Sequence, residues 1–519
     1  MSSHRGPALV EAPVGVIEGE AQGDLLVFKG VPYARAARWT PPVAAPDWQG
    51  VRKALEFGPS CFQWRVAADS IYAEDVGPMS EDCLSLNIWA PKATRKAPVF
   101  VWIHGGALNF GSSSIGMYDG SRLAERGVVV VSINYRLGIL GWLAHPELSA
   151  ESPNVISGNY GLLDQVEALR WVRRNISAFG GDPSNVTIAG ESAGGLSVMY
   201  LMTSPPARGL FHKAIAQSAY MVSTPELKRE AHGHPSAETS GLEIMRKLGA
   251  PDLAGLRAMG PAEVTNGAIS AGFAPFGAVD GRALPCQIVE AFDRGEQARV
   301  PILVGSNTGE IRSLRYLAPP VPNSAADYER IIRERYADLA DAFLALYPGD
   351  DLEESILATT RDALYSWTAQ RLATRQTAAG EAAYLYVFDH GYPSADEAGL
   401  HAFHASELPY VFGTADRAAA AWPKLPDTPE EAALSGAIMD YWTSFARTGR
   451  PLAAGGPEWL PWGAVSAFMD FGGKPELSRD PMPGMYPLVE EVVRRRRAAG
   501  NQQWNWNVGL ASPPLPPPG

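Results

Sequence analysis

The ten residues Val186-Thr187-Ile188-Ala189-Gly190-Glu191-Ser192-Ala193-Gly194-Gly195 constrain this chain more than any other stretch. A short β-branched run enters a glycine-bracketed turn and leaves as a helix, the context in which a G-x-S-x-G pattern holds its serine as a nucleophile. In such an elbow a side chain at Gly190 or Gly194 would strike neighbouring backbone, and the turn lifts Ser192 Oγ clear of the sheet. The N–H of Ala193 and the positive end of the following helix then lie where an oxyanion would develop. Glycine-rich turns also occur with no catalytic role, so the pattern needs partners elsewhere in the chain.

Composition narrows the classes to which those partners belong. A chain of 519 residues with 46% hydrophobic and 19% charged residues has enough apolar material for one large sheet with long insertions. We read residues 1–495 as one domain and 496–519 as a proline-rich tail, either disordered or an extended strap. The net charge of −12 argues against non-specific binding to nucleic acid or anionic lipid. No stretch is long and apolar enough for a membrane span, and Met1 to Gly19 lacks the pattern of an export signal. With three cysteines, no C-x-x-C and no histidine-rich spacing, no metal site is expected.

In chain order, Gly15 to Glu20 and Leu25 to Val31 read as small antiparallel strands around the turn Gln22-Gly23-Asp24. Leu84 to Trp89 alternates as a half-buried strand, whereas Pro98 to Ile103 and Gly127 to Asn134 are continuous apolar runs suited to a sheet centre. Tyr160 to Phe179 has helical spacing and stops at Gly180-Gly181-Asp182-Pro183. Strands follow at 214–218, 300–305 and 382–389, with an amphipathic helix over 431–448. Alternating strands and helices predict a mostly parallel sheet covered on both faces, with the site at the carboxyl ends of the strands. The acceptor patterns at Asn175 and Asn185 fall at a helix end and a core strand, and are read as structural coincidence.

A serine hydroxyl needs a base to take its proton, and that base needs a carboxylate to fix its tautomer. Glu310 follows the strand Pro301-Ile302-Leu303-Val304-Gly305, and both His401 and His404 follow the strand ending at Asp389. Spacing leaves the two histidines unresolved. His104-Gly105-Gly106-Ala107, directly after a central strand, offers backbone N–H groups to a ligand oxygen.

These segments, taken together, resemble the type B carboxylesterases, α/β-hydrolases that include cholinesterases and bacterial para-nitrobenzyl esterases. The likeness runs through Phe28 to Ala34, Ser80 to Trp89, Trp102 to Ala107, Asn134 to Gly138, Gly158 to Gln165, Phe179 to Pro183, Gly190 to Gly194 and His404-Ala405-Ser406-Glu407-Leu408. It implies an α/β-hydrolase fold with a large, mostly parallel central sheet, helices on both faces and a small N-terminal antiparallel sheet. It also implies Ser192 as nucleophile, Glu310 as acid and His404 as base, with Gly106, Ala107 and Ala193 as oxyanion donors. Glu191 and Ser218 would support the nucleophile and the histidine, Arg38 would pair with Glu81, and Cys61 would be bridged to Cys83. Cys286 would remain a free, buried thiol.

Three departures stand out: Ala107 where the family has a third glycine, Gly309-Glu310-Ile311-Arg312 in place of Asp-Glu-Gly, and Ala405 after the histidine. Arg312, with Arg315 nearby, and Trp64 are candidate substrate contacts. The loop lacks a counterpart of the choline-binding tryptophan of cholinesterases. The expected activity is serine carboxylic-ester hydrolysis on a small-molecule ester, with no metal or organic cofactor. The alternatives are an inactive binding or adhesion protein of the same fold, and a hydrolase of amides, carbamates or bulky multi-ester substrates.

Overall fold

The computed structural model describes residues 5–463, 465–506 and 508–518. Its organising element is a thirteen-stranded sheet, twelve strands of which lie in one path while the short strand Val51–Lys53 pairs alongside Val16 to Glu18. Strands β1 (Arg5–Ala12), β2 (Gly15–Gln22), β3 (Leu25–Pro32) and β4 (Ser85–Pro91) run antiparallel in that order. The N-terminal strands therefore continue the main sheet through the β3–β4 pairing. Next come β5 (Ala97–Ile103), β6 (Val129–Ile133), β7 (Gly181–Glu191), β8 (Lys213–Gln217), β9 (Ile302–Asn307), β10 (Ala383–Phe388), β11 (Ala467–Phe471) and β12 (Pro475–Arg479). The spatial order is β4-β6-β5-β7-β8-β9-β10-β11-β12. All pairs from β6 to β11 are parallel, and β12 closes the edge antiparallel.

The centre of the sheet is buried on both faces, which is why β5 and β6 are continuous apolar runs with no polar alternation. One face carries α1 (Tyr160–Asn175) and α2 (Ala193–Thr203), and the other is covered by residues of α4 (Pro429–Thr448). The insertion after β8 includes α3 (Ala237–Lys247). Helix α1 ends earlier than its spacing predicts: Ile176–Phe179 tightens to a 3-10 turn, closed by Gly180 at φ 81°. Both acceptor asparagines use their side chains internally. Asn175 Oδ1 accepts from Val14 N–H at 3.1 Å, and Asn185 Nδ2 donates to Arg447 O at 3.1 Å.

Strand register brings the functional loops to one edge. Ile103 pairs with Gly190, Gly190 with Ala216, and Asn307 with Phe388, so the segments that follow β5, β7, β8, β9 and β10 emerge side by side.

Behind this edge, Arg136 and Asp164 form a buried pair. Arg136 Nε and Nη2 donate to the carboxylate at 2.8 and 2.7 Å, the Arg136 N–H adds a third bond at 3.0 Å, and the two side chains are 4% and 0% exposed. Asp164→Ala would leave a guanidinium buried without its counter-charge, and is expected to cost about 3–5 kcal/mol. A urea midpoint within error of the parent protein would rule this out.

Two expectations are corrected. Cys61 and Cys83 are not bridged: both are free, buried thiols, with Leu137 N–H donating to Cys61 Sγ at 3.3 Å. The loop is closed instead by backbone pairing of Ser60 with Met79 and Cys61 with Ser80, so its shape does not depend on a sulfur–sulfur bond. Cys286 is also free, but half-buried rather than buried. The expected Arg38–Glu81 pair is present, with Arg38 Nε donating to Glu81 Oε2 at 2.8 Å.

The basic stretch from Arg494 lies within a last helix, α5 (Met485–Ala499), and the chain then runs back across the molecule as a strap. Trp504 is fully buried, Leu515 N–H donates to Arg335 O at 2.7 Å, and Asn505 Nδ2 reaches Met221 O and Ala363 O at 3.0 and 2.6 Å. Asn507 and Gly519 lie outside the described residues. Among the described residues no helix is long and apolar enough to cross a membrane.

Candidate active site

Strand β7 ends at Glu191, and Ser192 makes the turn into α2 with φ 57° and ψ −121°. A non-glycine residue with positive φ is strained and persists only when its surroundings over-determine it. Here the turn is pinned by Ser192 N–H donating to Gln217 O at 3.0 Å and by Leu196 N–H donating to Ser192 O at 2.9 Å. The glycines are required for contact. A Cβ on Gly190 would lie 2.5 Å from the carbonyl carbon of Gly194, and one on Gly194 would overlap the carbonyl oxygen of Ile103. Ser192 itself is 9% exposed.

The loop after β5 comes against this turn. A Cβ on Gly105 would lie 3.2 Å from Ser192 Cβ and 2.8 Å from Glu191 O, so only glycine allows the approach. Gly106 at φ 96° and Ala107 at φ 51° curl the loop, and Asn109 and Phe110 N–H groups donate to Gly106 O at 2.9 and 3.0 Å. No described residue accepts the N–H of Gly106 or Ala107. Ala193 opens α2, so its N–H is one of the first-turn donors without an intrahelical acceptor. The N–H groups of Gly106, Ala107 and Ala193 thus have no backbone acceptor among the described residues. His104 braces the loop from behind with Nδ1 2.9 Å from Gly105 O, and burial lowers its pKa to about 4, keeping it neutral.

Glu310 and His404 are brought together by cross-bracing of their loops. Gly309 N–H donates to Ala402 O at 2.8 Å and Gly309 bridges Phe403, again at a position where a Cβ would strike backbone. Glu310, fully buried, accepts from Asn307 N–H at 2.9 Å through Oε1 and is hydrogen-bonded to His404 Nδ1 through Oε2. The other histidine lies elsewhere: His401 faces Asp389 and Asp396 at 3.0 and 2.9 Å on the surface. His404 Nε2 points to the elbow, 3.1 Å from Glu191 Oε1, and no hydrogen bond joins it to Ser192 Oγ among the described residues.

The site is therefore a buried cluster of one imidazole with three carboxyls. Burial opposes a charge on His404, but the Glu191 and Glu310 carboxylates outweigh it and raise its pKa to about 9. Burial raises Glu191 to about 8 against the pull of His404, and burial likewise raises Glu407. Glu407 accepts from Gln217 Nε2 at 2.9 Å and Asn307 Nδ2 at 2.7 Å, while Trp442 of α4 donates to Gln217 Oε1 at 2.9 Å. This network ties the ends of β8 and β9 to the serine turn.

Other expected residues are placed differently. Ser218 is buried beside the turn, and its Oγ has no hydrogen-bond partner among the described residues. Arg312 and Arg315 pair with Glu354 and Glu353 at 2.6 and 2.8 Å, and Trp64 is 46% exposed. Sequence reasoning missed Tyr365, whose ring lies 5.3 Å from that of His404, and Tyr72, whose hydroxyl donates to His404 O at 2.9 Å. Tyr365 sits on a π-helical turn, Asp362–Ser366, that interrupts a longer helix and carries no local sequence signal.

The description of the carboxylesterase family matches residues 6–480. A fumonisin B1 esterase of Sphingopyxis macrogoltabida is 38% identical over 416 residues, covering 77% of this chain and 73% of that protein. A para-nitrobenzyl esterase of Bacillus subtilis is 35% identical, covering 85% of this chain and 90% of that one. Among solved structures, a PNB esterase superposes with a TM-score of 0.80 at 31% identity, covering 92% of this chain and 99% of its own. A carboxylesterase of Geobacillus stearothermophilus does so with a TM-score of 0.76 at 33% identity and the same coverage.

Proposed function

Since the chain belongs to the carboxylesterase family and is a carboxylic-ester hydrolase, we propose that it works by acyl transfer, with Ser192 as nucleophile, His404 as base and Glu310 as acid. The observation that carries this assignment is the Glu310–His404 Nδ1 contact, which leaves Nε2 directed at the serine turn. Ser192 Oγ attacks the ester carbonyl carbon while its proton passes to Nε2. The carbonyl electrons move to oxygen, held by the N–H groups of Gly106, Ala107 and Ala193. Collapse expels the alcohol with the proton from Nε2, and water, activated by the same base, releases the acid. Before the first step Nε2 must turn from Glu191 to Ser192, a short adjustment of the kind substrate binding produces.

Residues 1–495 are taken as one α/β-hydrolase domain with helical insertions, and 496–519 as its tail; the single sheet from β1 to β12 supports this. Ser218 is assigned to support His404 from the end of β8. Arg312 and Trp64 are kept as substrate contacts only for a ligand that displaces Glu354 or reaches the exposed rim.

The test is hydrolysis of para-nitrophenyl esters of increasing acyl length, with a fluorophosphonate label counted by mass and located by peptide mapping. One label per chain at Ser192 supports the assignment, and label at another residue removes it. The panel includes fumonisin B1, named for the relative that is 38% identical.

Glu191 gives a separate handle on the base. A protonated imidazole cannot accept the serine proton, so a pKa raised to about 9 puts the acid limb of kcat/KM in the alkaline range. Glu191→Gln removes one of the three carboxyls (Glu191, Glu310 and Glu407) that raise it, so the limb should move to lower pH. An unmoved limb would show that Glu191 does not set the base.

A further inference from the structure

A cavity of about 360 Å³ borders the insertion after β8, and none of Ser192, Glu310 and His404 lines it. Val222 and Phe276 line it, and both also pack in the apolar cluster that contains Tyr365. Tyr365 lies against His404, so one cluster of side chains spans from the cavity to the imidazole. The opposite wall is the C-terminal strap. Gln503 and Trp506 line the cavity, and the Trp506 ring stands edge-on to Phe276 with centroids 6.5 Å apart. These strap residues lie beyond residue 480, where the family match ends. Trp504, buried against Trp367, and the Asn505 bonds to Met221 and Ala363 anchor that wall.

The lining is largely apolar, and its polar side chains are Ser223, His234, Ser240, Gln503 and the Glu243–Lys247 pair. His234 Nε2 lies 2.9 Å from Ser223 Oγ, and burial lowers His234 so that the ring is neutral at neutral pH. At the rim Lys247 and Glu243 pair at 3.0 Å and cancel. A carboxylate or ammonium group would find no unmatched counter-charge among these side chains. A hydroxyl or amide would find both a donor and an acceptor.

We propose that this cavity is a specificity pocket for the part of the ester remote from its carbonyl, taking an uncharged apolar chain or ring whose hydroxyl or amide meets Ser223 and His234. Trp506 closes its outer side. The inference rests on the acyl-transfer reading of Ser192. Apolar walls reward chain length weakly per methylene, whereas a buried polar pair rejects a chain that leaves it unpaired more strongly.

The experiment compares the full chain with Trp506→Ala, Ala274→Trp and Ser223→Ala. Trp506 is 40% exposed and Ala274 is an exposed residue at the cavity, so neither change removes core packing. Substrates are para-nitrophenyl acetate, octanoate and 8-hydroxyoctanoate for the acyl side, with octyl acetate and 1,8-octanediol monoacetate for the alcohol side. Trp506→Ala and Ala274→Trp should lower kcat/KM for the long chains of one series by about tenfold, with para-nitrophenyl acetate unchanged. Ser223→Ala should abolish the preference for the hydroxylated chain, and the responding series identifies which half of the ester enters. Wild-type ratios in every variant and both series overturn the proposal.

Binding of 1,8-octanediol, read by tryptophan fluorescence against Trp506→Phe, separates the two readings. Saturable binding that Ala274→Trp removes supports the pocket. If Ser192 takes up no fluorophosphonate while that binding persists, the acyl-transfer reading fails and the pocket stands. No saturable binding together with unchanged ratios removes the pocket and leaves acyl transfer in place.

Discussion

Ser192→Ala is expected to reduce kcat on every ester by roughly 10⁶-fold and to abolish fluorophosphonate uptake, while leaving a folded protein. The change removes one oxygen and nothing that shapes the turn. Ser192 already adopts φ 57°, and alanine at that position meets the same backbone strain. The bonds that hold the turn use Ser192 N–H and carbonyl, with Gln217 O and Leu196 N–H, and none of them uses Oγ. Substrate affinity should persist, because the oxyanion donors proposed above, the N–H groups of Gly106, Ala107 and Ala193, are untouched by the change. The oxyanion donors and binding alone leave a residual catalysis of about 10³–10⁴ over water in other triads, which sets the floor to be measured here. Undiminished turnover in a purified variant would sink the assignment, and melting by circular dichroism separates lost chemistry from lost fold.

The serine turn was legible in the sequence because its requirements are local. Gly190 and Gly194 are demanded by backbone contacts within a few residues and with the neighbouring strand, and no other residue type fits. The central parallel strands, β5 to β10, were legible for a similar reason, since burial on both faces writes an unbroken apolar run. The base was not. His401 and His404 are three positions apart, and what separates them is tertiary: Gly309 pairs with the 402–403 backbone and draws His404 to Glu310, while Asp389 and Asp396 hold His401 at the surface.

Strands β11 and β12 were missed because β11 is short and β12, on the edge, is mostly half-exposed, polar and opened by proline, so neither period nor hydrophobicity marks it. Proline content in the tail argued against a core element, yet Trp504, Val508 and Leu515 are buried in the hydrophobic clusters. It gave no sign that Trp504 reaches a partner on a distant helix, because a packing partner remote in sequence leaves no trace in local composition. The family resemblance implied a bridge between Cys61 and Cys83, and both sulfurs are free. Ser60–Cys61 pairing with Met79–Ser80 holds the loop with free thiols.

Glu310→Gln should be the most damaging change after loss of the nucleophile, at about 10⁴-fold in kcat, although it changes one atom and almost no volume. The reason lies in the second oxygen of the carboxylate. Asn307 N–H donates to Oε1 at 2.9 Å in a fully buried site, so a glutamine there must keep its carbonyl oxygen on Asn307. Its amide NH₂ then faces His404 Nδ1, which can only accept. The imidazole proton is driven to Nε2, the nitrogen that must be bare to take the proton of Ser192. The variant also loses a carboxylate that favours the imidazolium, so any surviving activity should show its acid limb at lower pH. The contrast with Glu191→Gln is diagnostic: both move the limb in the same direction, but only Glu310→Gln reverses the tautomer and collapses kcat. Equal losses in the two variants would show that charge on the cluster, rather than orientation of His404, is what Glu310 supplies.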